Sequence, residues 1–359
     1  MGNIALVTGG AGFIGSHVIE VLLRYGWRVR ILDNFRTGSR ANLHTLSSDV
    51  EIIEGDIRCL STCQIACRGI DSVFHLAALA SVASSVADPL ESHAVNVAGT
   101  LNLLVASRDA GARRFIFSSS ASVYGNAHIV PTDELQPLQP QSPYASDKAS
   151  CELYGSNFRT LYGLEFVTLR YFNVFGPRQN LNSGYAAVIP SFIQAALEDR
   201  DPCLYGDGKQ TRDFVFVEDI ARANLLAATA SGIGGRTFNV AGGKAISLLD
   251  LLAALEVAAG KSVKARFEAG RTGEVRHSRA EVSAAQRDLG FVPQITLAEG
   301  MRRTLEAYRQ EFAGKSVSVP AETAFSVQST IPVQSAAPVQ STASALPAQY
   351  TTAQFPGVV

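Results

Sequence analysis

Short apolar runs alternate with longer amphipathic stretches through the first half of the chain. The runs are rich in β-branched and aromatic side chains, which is typical of buried strands, whereas the longer stretches repeat with helical spacing. We predict strands at residues 4–8, 29–33, 50–54, 72–75, 115–118 and 166–171, and helices that include 13–24, 89–110 and 143–162. This alternation predicts an α/β protein with a doubly wound parallel sheet.

Each predicted strand ends in small or polar residues. These ends carry Gly9, Asp33, Asp56, His75 and the serines 118–120. Because the carboxyl ends of parallel strands meet at one edge of the sheet, we expect a ligand to lie there. His75 follows an apolar strand directly, so we expect a buried structural histidine rather than a base.

The second half of the chain has a looser pattern. It predicts strands at 214–217 and 237–240 and helices at 190–198, 219–230 and 248–259. We expect a nucleotide-binding domain over 1–175 and a smaller α/β substrate domain over 176–313, with some segments crossing back to the first. Residues 314–359 are poor in charge and repeat Val-Gln-Ser, which predicts a disordered low-complexity tail.

Composition narrows the class of protein. The 359 residues are 47% hydrophobic and 18% charged with a net charge of -1, so nothing indicates nucleic acid or an anionic membrane as a partner. No apolar stretch reaches the roughly 18 residues of a membrane span, and no secretory signal opens the chain, which predicts a cytoplasmic protein. Cys59, Cys63 and Cys67 have helical spacing and no fourth ligand nearby, so we expect core packing rather than a metal site.

The strand at 4–8 leads into a glycine motif. Residues 10–15 follow the pattern G-x-G-x-x-G and open a helix, which is the context in which such glycines admit a pyrophosphate to the helix N-terminus. Asp33 follows at the end of the second strand, where an acidic side chain binds ribose hydroxyls. We therefore predict a dinucleotide cofactor. Asp33 would repel a 2′-phosphate and so favours NAD over NADP, whereas nearby Arg36 argues the other way.

A second motif is Tyr144 followed by Lys148. Residues four apart share a helix face, so the lysine ammonium can lie near the phenol oxygen and lower its pKa from about 10. On its own the pair is typical of any surface helix. Here it opens a helix after Pro143, just beyond the serines 118–120, in a chain that is predicted to bind a dinucleotide. That context favours a catalytic pair.

Together these residues resemble the extended short-chain dehydrogenase/reductase family over roughly residues 3–310, and within it the bacterial UDP-N-acetylglucosamine and UDP-glucose 4-epimerases. The resembling motifs are at residues 8–15, 32–34, 55–57, 75–78, 118–125, 144–148 and 169–173. The resemblance implies a Rossmann fold, NAD as cofactor and a UDP-sugar as substrate. It also implies a homodimer.

The resemblance implies site residues one by one. The catalytic residues would be Ser120, Tyr144 and Lys148. The cofactor would contact Gly9, Gly12, Phe13, Ile14, Gly15, Asp33, Asn34, Asp56, Ile57, Ala77, Tyr144 and Lys148. The substrate would contact Ser81, Ser122, Asn173, Gln179, Val188, Tyr205, Arg212, Arg271, Glu274 and Ser278. Ile57 and Tyr205 are assigned to packing rather than to specific contacts.

The implied reaction is C4 epimerisation. Tyr144 takes the O4 proton directly or through Ser120 while the C4 hydride passes to NAD+, and the 4-keto sugar then turns and receives both back on its other face. Such a cycle regenerates NAD+, so we expect it to stay bound. Arg212 and Arg271 would hold the diphosphate, since each offers a planar fork of donors.

The identity of the sugar stays open. The resemblance makes Ser278 a size gate beside the C2 substituent, and a small residue there leaves room for an N-acetyl group. Ala121 stands where the acetyl-preferring relatives have serine, so activity on both UDP-N-acetylglucosamine and UDP-glucose is an alternative. A UDP-glucuronate 4-epimerase would use the same catalytic residues.

Other reactions need other residues. A 4,6-dehydratase or decarboxylase carries acidic residues in the segment where this chain has Ala121 and Ser122, so elimination would lack its proton carriers. A non-catalytic NAD sensor is the remaining alternative. Such proteins typically lose the tyrosine or the lysine, and this chain keeps Tyr144 and Lys148.

Overall fold

The computed structural model describes residues 3–44, 46, 50–127, 129–180, 188–270 and 275–317. Most of the predicted tail, with Arg271 and Glu274 of the predicted substrate site, therefore lies outside the described residues. In the described part of the chain, no helix is long and apolar enough to cross a membrane. The same part holds no cluster of His, Cys, Asp and Glu side chains with metal-binding geometry.

The strands of the described residues are, in chain order, β1 Ile4–Thr8, β2 Arg28–Asp33, β3 Val50–Glu54, β4 Ser72–His75, β5 Arg114–Ser120, β6 Glu165–Tyr171, β7 Asn173–Phe175, β8 Cys203–Tyr205, β9 Thr211–Arg212, β10 Phe214–Phe216, β11 Thr237–Val240, β12 Ile246–Ser247 and β13 Arg266–Glu268. Seven of them form one parallel sheet in the order β11-β6-β5-β4-β1-β2-β3. The strand order reverses at β1 and β4, and in such sheets this is the point where a ligand binds. The predicted doubly wound fold is confirmed.

The helices are α1 Phe13–Arg24, α2 Leu60–Cys67, α3 Val82–Ala87, α4 Pro89–His93, α5 Gly99–Asp109, α6 Pro143–Tyr162, α7 Val188–Leu197, α8 Val217–Thr229, α9 Leu248–Ala259, α10 Ser283–Leu289 and α11 Leu297–Val317. The predicted helix over 89–110 is continuous but contains a π-helical turn at Ala94–Ala98 between α4 and α5. Local chemistry fixes the ends of α6. Its N-cap Ser142 accepts a hydrogen bond from the Ala145 amide, Pro143 follows, and Gly163 ends it with a φ of 75°.

The core has a separate cluster on each face of the sheet. On one face, α1 and α8 cover side chains such as Val7, Ile31 and Phe238. On the other face, α2, α5 and α6 cover Leu6, Phe115 and others. Cys63 and Cys67 are buried in this second cluster, as predicted, whereas Cys59 precedes α2 and is exposed, so the packing prediction is wrong for it.

Segments from the second half of the chain occupy two places in the fold. The helix α8 and the strand β11 return to the large sheet, where β11 pairs with β6. The remaining strands form short pairs, β7 with β10, β8 with β13 and β9 with β12. A third apolar cluster lies around Phe192, Leu251 and Leu305 of α7, α9 and α11. Thus the second half both completes the sheet and adds short strand pairs with an apolar cluster of their own.

Candidate active site

The glycine turn between β1 and α1 has no room for side chains. Gly9 has a φ of 67°, and a Cβ there would lie 2.7 Å from the Ala77 nitrogen. A Cβ on Gly15 would lie 2.2 Å from the Gly9 carbonyl oxygen. Gly12 is the N-cap of α1 and offers no side-chain acceptor to the first amides of the helix, which belong to Phe13 and Ile14. The turn thus leaves the N-terminus of α1 open to an anionic group.

Asp33 connects the end of β2 to the glycine turn. Its side chain is buried and accepts hydrogen bonds from the amides of Ala11, at 2.9 Å, and Phe35, at 2.8 Å. Carboxylate oxygens have further lone pairs, so Asp33 keeps acceptor capacity for a ligand. Asn34 lies next along the chain and donates to Asp56 at 2.9 Å. Two predicted cofactor residues are therefore joined to each other.

The other predicted cofactor residues lie around the same edge. The Ala77 amide donates to the Thr8 hydroxyl at 3.2 Å, which holds the loop after β4 against β1. Ile57 is buried against the backbone of Gly99, where any Cβ would lie 2.7 Å from the isoleucine side chain. That burial agrees with its assignment to packing.

Ser120, Tyr144 and Lys148 converge where β5 meets α6. The Lys148 Nζ donates to the Ser118 carbonyl oxygen at 2.7 Å and lies 5.9 Å from the centroid of the Tyr144 ring. The Ser120 hydroxyl lies close enough to that of Tyr144 to favour its charged form. Tyr144 is held from its backbone as well, since its amide donates to the Ser85 hydroxyl at 3.1 Å. The three predicted catalytic residues thus form one contiguous group.

Burial disfavours the charged form of both members of the tyrosine–lysine pair. Desolvation raises the pKa of Tyr144 to about 12, although the hydrogen bond with Ser120 lowers it, and desolvation lowers the pKa of Lys148 to about 8. The sequence interpretation, in which the lysine charge lowers the pKa of the tyrosine, is wrong for this structure because it left out desolvation. Lys148 is instead held by a backbone carbonyl.

A buried polar network contacts the end of β5 through Ser119. The Ser119 hydroxyl donates to Glu152 at 2.5 Å, and Glu152 pairs with both Nε and Nη2 of Arg170 on β6, at 3.0 and 2.6 Å. Arg170 in turn donates to the Tyr124 hydroxyl at 2.8 Å. Sequence reasoning did not single out these residues. The signal was present in Glu152, which lies four residues after Lys148 on α6 and so shares its face.

His75 is a satisfied buried histidine, as predicted. Its Nδ1 lies 2.7 Å from the Thr8 hydroxyl and its Nε2 lies 2.8 Å from the Thr100 hydroxyl. Burial lowers the pKa of His75 to about 3, so the ring is neutral. It therefore links β1, β4 and α5 rather than acting as a base.

The predicted sugar-nucleotide residues assemble around residues 211–213. The Ser278 amide donates to the Thr211 carbonyl at 3.1 Å, and the Asn173 amide donates to the Asp213 carbonyl at 3.0 Å. Arg212 lies between these two contacts and is half-buried. A single segment of backbone thus brings three predicted substrate residues together.

Asp213 is the residue that sequence reasoning missed in this region. Its fully buried carboxylate accepts hydrogen bonds from the amides of Gly243 and Ala280, each at 3.0 Å. Desolvation nevertheless raises the pKa of Asp213 to about 6. An acidic residue directly before the apolar run 214–217 was the available signal, because a charge at the start of a buried strand needs partners.

The loop after β7 is tied to helix α1. Arg178 has a φ of 69° and pairs with both carboxylate oxygens of Glu20, at 2.7 and 2.9 Å, while the Pro177 carbonyl lies 3.1 Å from the His17 ring. Gln179 comes next, donates to the Val174 carbonyl at 3.3 Å, and accepts from the Tyr308 hydroxyl through its backbone oxygen. The predicted substrate residue Gln179 is therefore anchored to the helix of the glycine turn.

The remaining predicted substrate residues lie on separate elements. Ser81 caps α3 by accepting from the Ser84 amide, and Ser122 lies in the 3₁₀ turn Ala121–Tyr124, where its buried hydroxyl has no protein partner. Val188 begins α7, and Tyr205 ends β8. Of these four, Ser122 contacts the serine–tyrosine–lysine group, because its amide donates to the Ser120 hydroxyl at 3.2 Å.

A glycine cradle at the switch point of a doubly wound sheet, with serine, tyrosine and lysine beside it, defines a dinucleotide-dependent enzyme of the Rossmann class. The sequence model of the NAD dependent epimerase/dehydratase family matches residues 5–241. The chain belongs to this family, and the family predicted from the sequence is confirmed. Its cofactor is NAD, and the turn fits that group because Gly9 and Gly15 let the backbone pack closely, and Gly12 leaves the N-terminus of α1 without a side-chain cap.

Known proteins similar to this chain carry related names. A UDP-glucose 4-epimerase of Mycolicibacterium smegmatis is 40% identical over 310 residues, which cover 85% of this chain and 98% of that protein. A UDP-glucuronate 4-epimerase of Thermodesulfobacterium geofontis is 33% identical, covering 84% of this chain and 94% of that protein. A solved UDP-N-acetylglucosamine 4-epimerase from Methanobrevibacter ruminantium, in complex with UDP-N-acetylmuramic acid, matches with a TM-score of 0.83 and 40% identity, covering 87% and 100% of the two chains.

Proposed function

We propose that this protein interconverts UDP-N-acetylglucosamine and UDP-N-acetylgalactosamine, and also acts on UDP-glucose and UDP-galactose. The broader class, NAD-dependent 4-epimerisation of a UDP-sugar, is the activity named for the similar proteins from M. smegmatis and M. ruminantium. The observation that carries the proposal is the convergence of Ser120, Tyr144 and Lys148 where β5 meets α6, at the carboxyl edge of the sheet.

The chain's own groups move the proton. Tyr144 accepts the O4 proton, either directly or through the neighbouring Ser120 hydroxyl. Bound NAD+ supplies the hydride acceptor and donor for C4, together with a positive charge that favours the Tyr144 phenolate. Lys148 is fixed by the Ser118 carbonyl and keeps further donors, with which it would hold the nicotinamide ribose. Asp33 binds the adenosine ribose at the far end of the cofactor.

Inversion requires the sugar to present both faces to one tyrosine. The substrate must therefore be held by its nucleotide and diphosphate while the sugar ring turns. Arg212 is the described residue suited to the diphosphate, because its guanidinium is a planar, permanently charged fork. Arg271 and Glu274 are proposed to act with it on the diphosphate and on the uridine ribose. Asn173 and Gln179 are proposed to contact the turning sugar.

Preference for the N-acetyl group rests on Ser278. The residue is small and half-buried, and its amide is fixed to the strand that carries Arg212. A small side chain leaves room for a bulky C2 substituent. Ala121 supports activity on the smaller UDP-glucose as well. UDP-glucuronate is the second candidate substrate, because a glucuronate 4-epimerase is among the similar proteins.

Two copies of the chain are proposed to pair through α6. Leu153 and Leu161, two turns apart on this helix, are 65% and 70% exposed, and Tyr154 and Tyr162 lie beside them. Exposed apolar side chains in a row mark an interaction surface. Light scattering of the purified protein should give the mass of a dimer, and Leu153→Lys with Leu161→Lys should give a monomer; a monomeric parent protein would refute the pairing.

The function is tested by turnover without added cofactor. The purified protein is incubated separately with UDP-N-acetylglucosamine, UDP-glucose and UDP-glucuronate, and the C4 epimers are resolved by chromatography. Conversion of the N-acetyl sugar, with slower conversion of UDP-glucose, is the expected result. Inversion of UDP-glucuronate alone would refute the proposed substrate, and the absence of any epimer from protein that carries NAD would refute 4-epimerisation of these sugars.

A further inference from the structure

A connected group of charges lies on the adenosine side of the cofactor edge. Arg36 follows β2 three residues after Asp33, and Arg58 follows β3 two residues after Asp56. Glu91 of α4 pairs with both arginines. Its Oε1 accepts from Arg36, and both of its oxygens accept from the Nη1 of Arg58, at 3.2 and 3.0 Å.

The same group reaches the residue that follows Asp33. The Asn34 side chain accepts from the Arg36 amide at 3.1 Å and donates to Asp56 at 2.9 Å, while Asp56 pairs with Arg58 at 2.8 Å. The pairing with Arg58 also holds the pKa of Asp56 well below its usual range. Thus the two loops that flank the proposed adenosine site are joined to α4 through one glutamate.

An arginine near the ribose is the usual means of binding the 2′-phosphate of NADP, because its planar fork matches a phosphate. Arg36 and Arg58 have the right chemistry and lie close along the chain to Asp33 and Asp56. Their side chains are 54% and 40% exposed to solvent, so they are not committed to the core. Glu91 holds the Nη1 of each arginine, and Asp56 holds the Nε and Nη2 of Arg58.

We propose that Glu91 is a cofactor-specificity residue, which holds Arg36 and, together with Asp56, holds Arg58, and so withholds both cations from the 2′-phosphate of NADP. Selection of NAD then has two parts: Asp33 repels the phosphate, and Glu91 removes the arginines that would attract it. The inference rests on the proposed placement of the adenosine ribose at Asp33. It also explains how the chain can select NAD although Arg36, close to Asp33, has the chemistry to bind the 2′-phosphate of NADP.

The experiment measures which nucleotide the protein carries. The parent protein, Glu91→Gln and Glu91→Ala are each equilibrated with equal concentrations of NAD+ and NADP+ until the bound ratio is constant. The protein is then desalted and denatured, and the released nucleotides are quantified. The ratio of bound NADP to bound NAD should rise about fivefold in Glu91→Gln and further in Glu91→Ala, since exposed ion pairs of this kind are worth up to about 1 kcal/mol.

Matched variants separate release of the arginines from a change in net charge. Glu299 of α11 also pairs with two arginines, Arg302 and Arg303, and lies far along the chain from the cofactor motifs. Glu299→Gln should leave the nucleotide ratio unchanged. Adding Arg36→Ala and Arg58→Ala to Glu91→Ala should return the ratio to the parent value.

Several results would contradict the proposal about Glu91, and they can be told apart. An unchanged ratio in both Glu91 variants overturns the proposal, as does a gain that persists without the two arginines or that Glu299→Gln reproduces. Asp33→Asn tests the placement of the ribose separately, because it should lower the amount of bound NAD and raise the ratio. If Asp33→Asn changes neither, the ribose does not lie at Asp33 and the inference fails, whereas the turnover test of the UDP-sugars is unaffected.

Discussion

The cofactor side and the sugar side of this site are built in different ways. On the cofactor side, Gly9, Asp33 and Tyr144 stand at the ends of long elements, and the geometry of a seven-stranded sheet fixes their positions. On the proposed sugar side, Arg212 and Ser278 depend on a two-residue strand and on the hydrogen bonds of one buried carboxylate, that of Asp213. A rigid sheet therefore positions the predicted cofactor and catalytic residues, and small local contacts position those proposed to bind the sugar nucleotide.

The largest expected effect removes the proton acceptor from the rigid side. Tyr144→Phe deletes the hydroxyl beside Ser120, so C4 inversion should fall about 1000-fold while bound NAD stays at the parent level. Epimer formation and released nucleotide are measured on the same sample. Tyr154→Phe, on the exposed side of the same helix, is the control and should keep full turnover. Retained activity in Tyr144→Phe would remove the tyrosine from the mechanism.

The next largest effect is expected from a substitution that crowds the glycine turn between β1 and α1. Gly15→Ala places a Cβ against the Gly9 carbonyl at 2.2 Å, so affinity for NAD should fall about 100-fold. Bound NAD after desalting and the gain in melting temperature on adding NAD both report this loss. Gly270→Ala, whose Cβ would meet only ordinary contact at 3.8 Å, should bind NAD normally. Equal NAD content in the two variants would contradict the cradle.

On the sugar side, Asp213→Asn should act on the substrate and spare the cofactor. The amide cannot replace a carboxylate that accepts from several backbone amides, so the KM for the UDP-sugar should rise about 20-fold with NAD content unchanged. Initial rates over a range of substrate concentrations separate KM from kcat. A fall in kcat alone, or a loss of NAD, would show that the two sides are not independent.

The pH dependence of KM gives a second test of Asp213. Its pKa is raised to about 6 in the fold, so the carboxylate is protonated and loses acceptors as the pH falls through 6, and KM should rise by about tenfold between pH 7 and pH 5. The raised pKa also means that ionisation costs stability at neutral pH, a cost that is relieved as the pH falls through the same range. His17 and His75, with pKa values lowered to about 4 and 3, stay neutral there. KM of Asp213→Asn should not vary with pH in this range.

The proposed gate at Ser278 predicts a smaller, selective effect. In Ser278→Tyr the space beside the sugar is filled, so the ratio of kcat/KM for UDP-N-acetylglucosamine to that for UDP-glucose should fall about tenfold. Ser283→Tyr, at the start of the nearby helix α10, controls for the added ring. A parallel loss on both substrates would mean general damage rather than a gate.

The smallest effect is expected from weakening the Arg178–Glu20 pair, which ties the loop after β7 to helix α1. Arg178→Lys keeps the charge but loses the two-pronged pairing with Glu20, so the loop that carries Gln179 is less firmly held to α1. The KM for the UDP-sugar should rise about threefold, with NAD content unchanged. Arg200→Lys, at an exposed pair with Glu198, should change neither quantity. No difference between these two variants would show that the tie has no part in substrate binding.

The same contrast explains what the sequence could predict. The strands of the large sheet, the glycine turn and the Tyr144–Lys148 pair follow from local periodicity and spacing, and the structure has them where these patterns place them, whereas the short strands β7, β8, β9, β12 and β13 were not predicted. Asp213 and the Glu152–Arg170 pair were missed because their partners are distant along the chain, on elements that no local pattern connects. The pKa of Tyr144 was predicted in the wrong direction for the same reason, since desolvation depends on the whole surrounding fold.

The late return of β11 to the sheet has a consequence for synthesis on the ribosome. Strand β6, Glu165–Tyr171, is paired on one side by β5, but its other edge is covered only by Thr237–Val240, which emerges some time later. During that interval the nascent chain exposes a nearly complete apolar sheet with one unpaired edge. Unpaired edges of this kind promote aggregation with other chains. Chaperone contact should therefore be greatest while residues 172–240 are being translated, after the cofactor cradle has formed and before the sheet is closed.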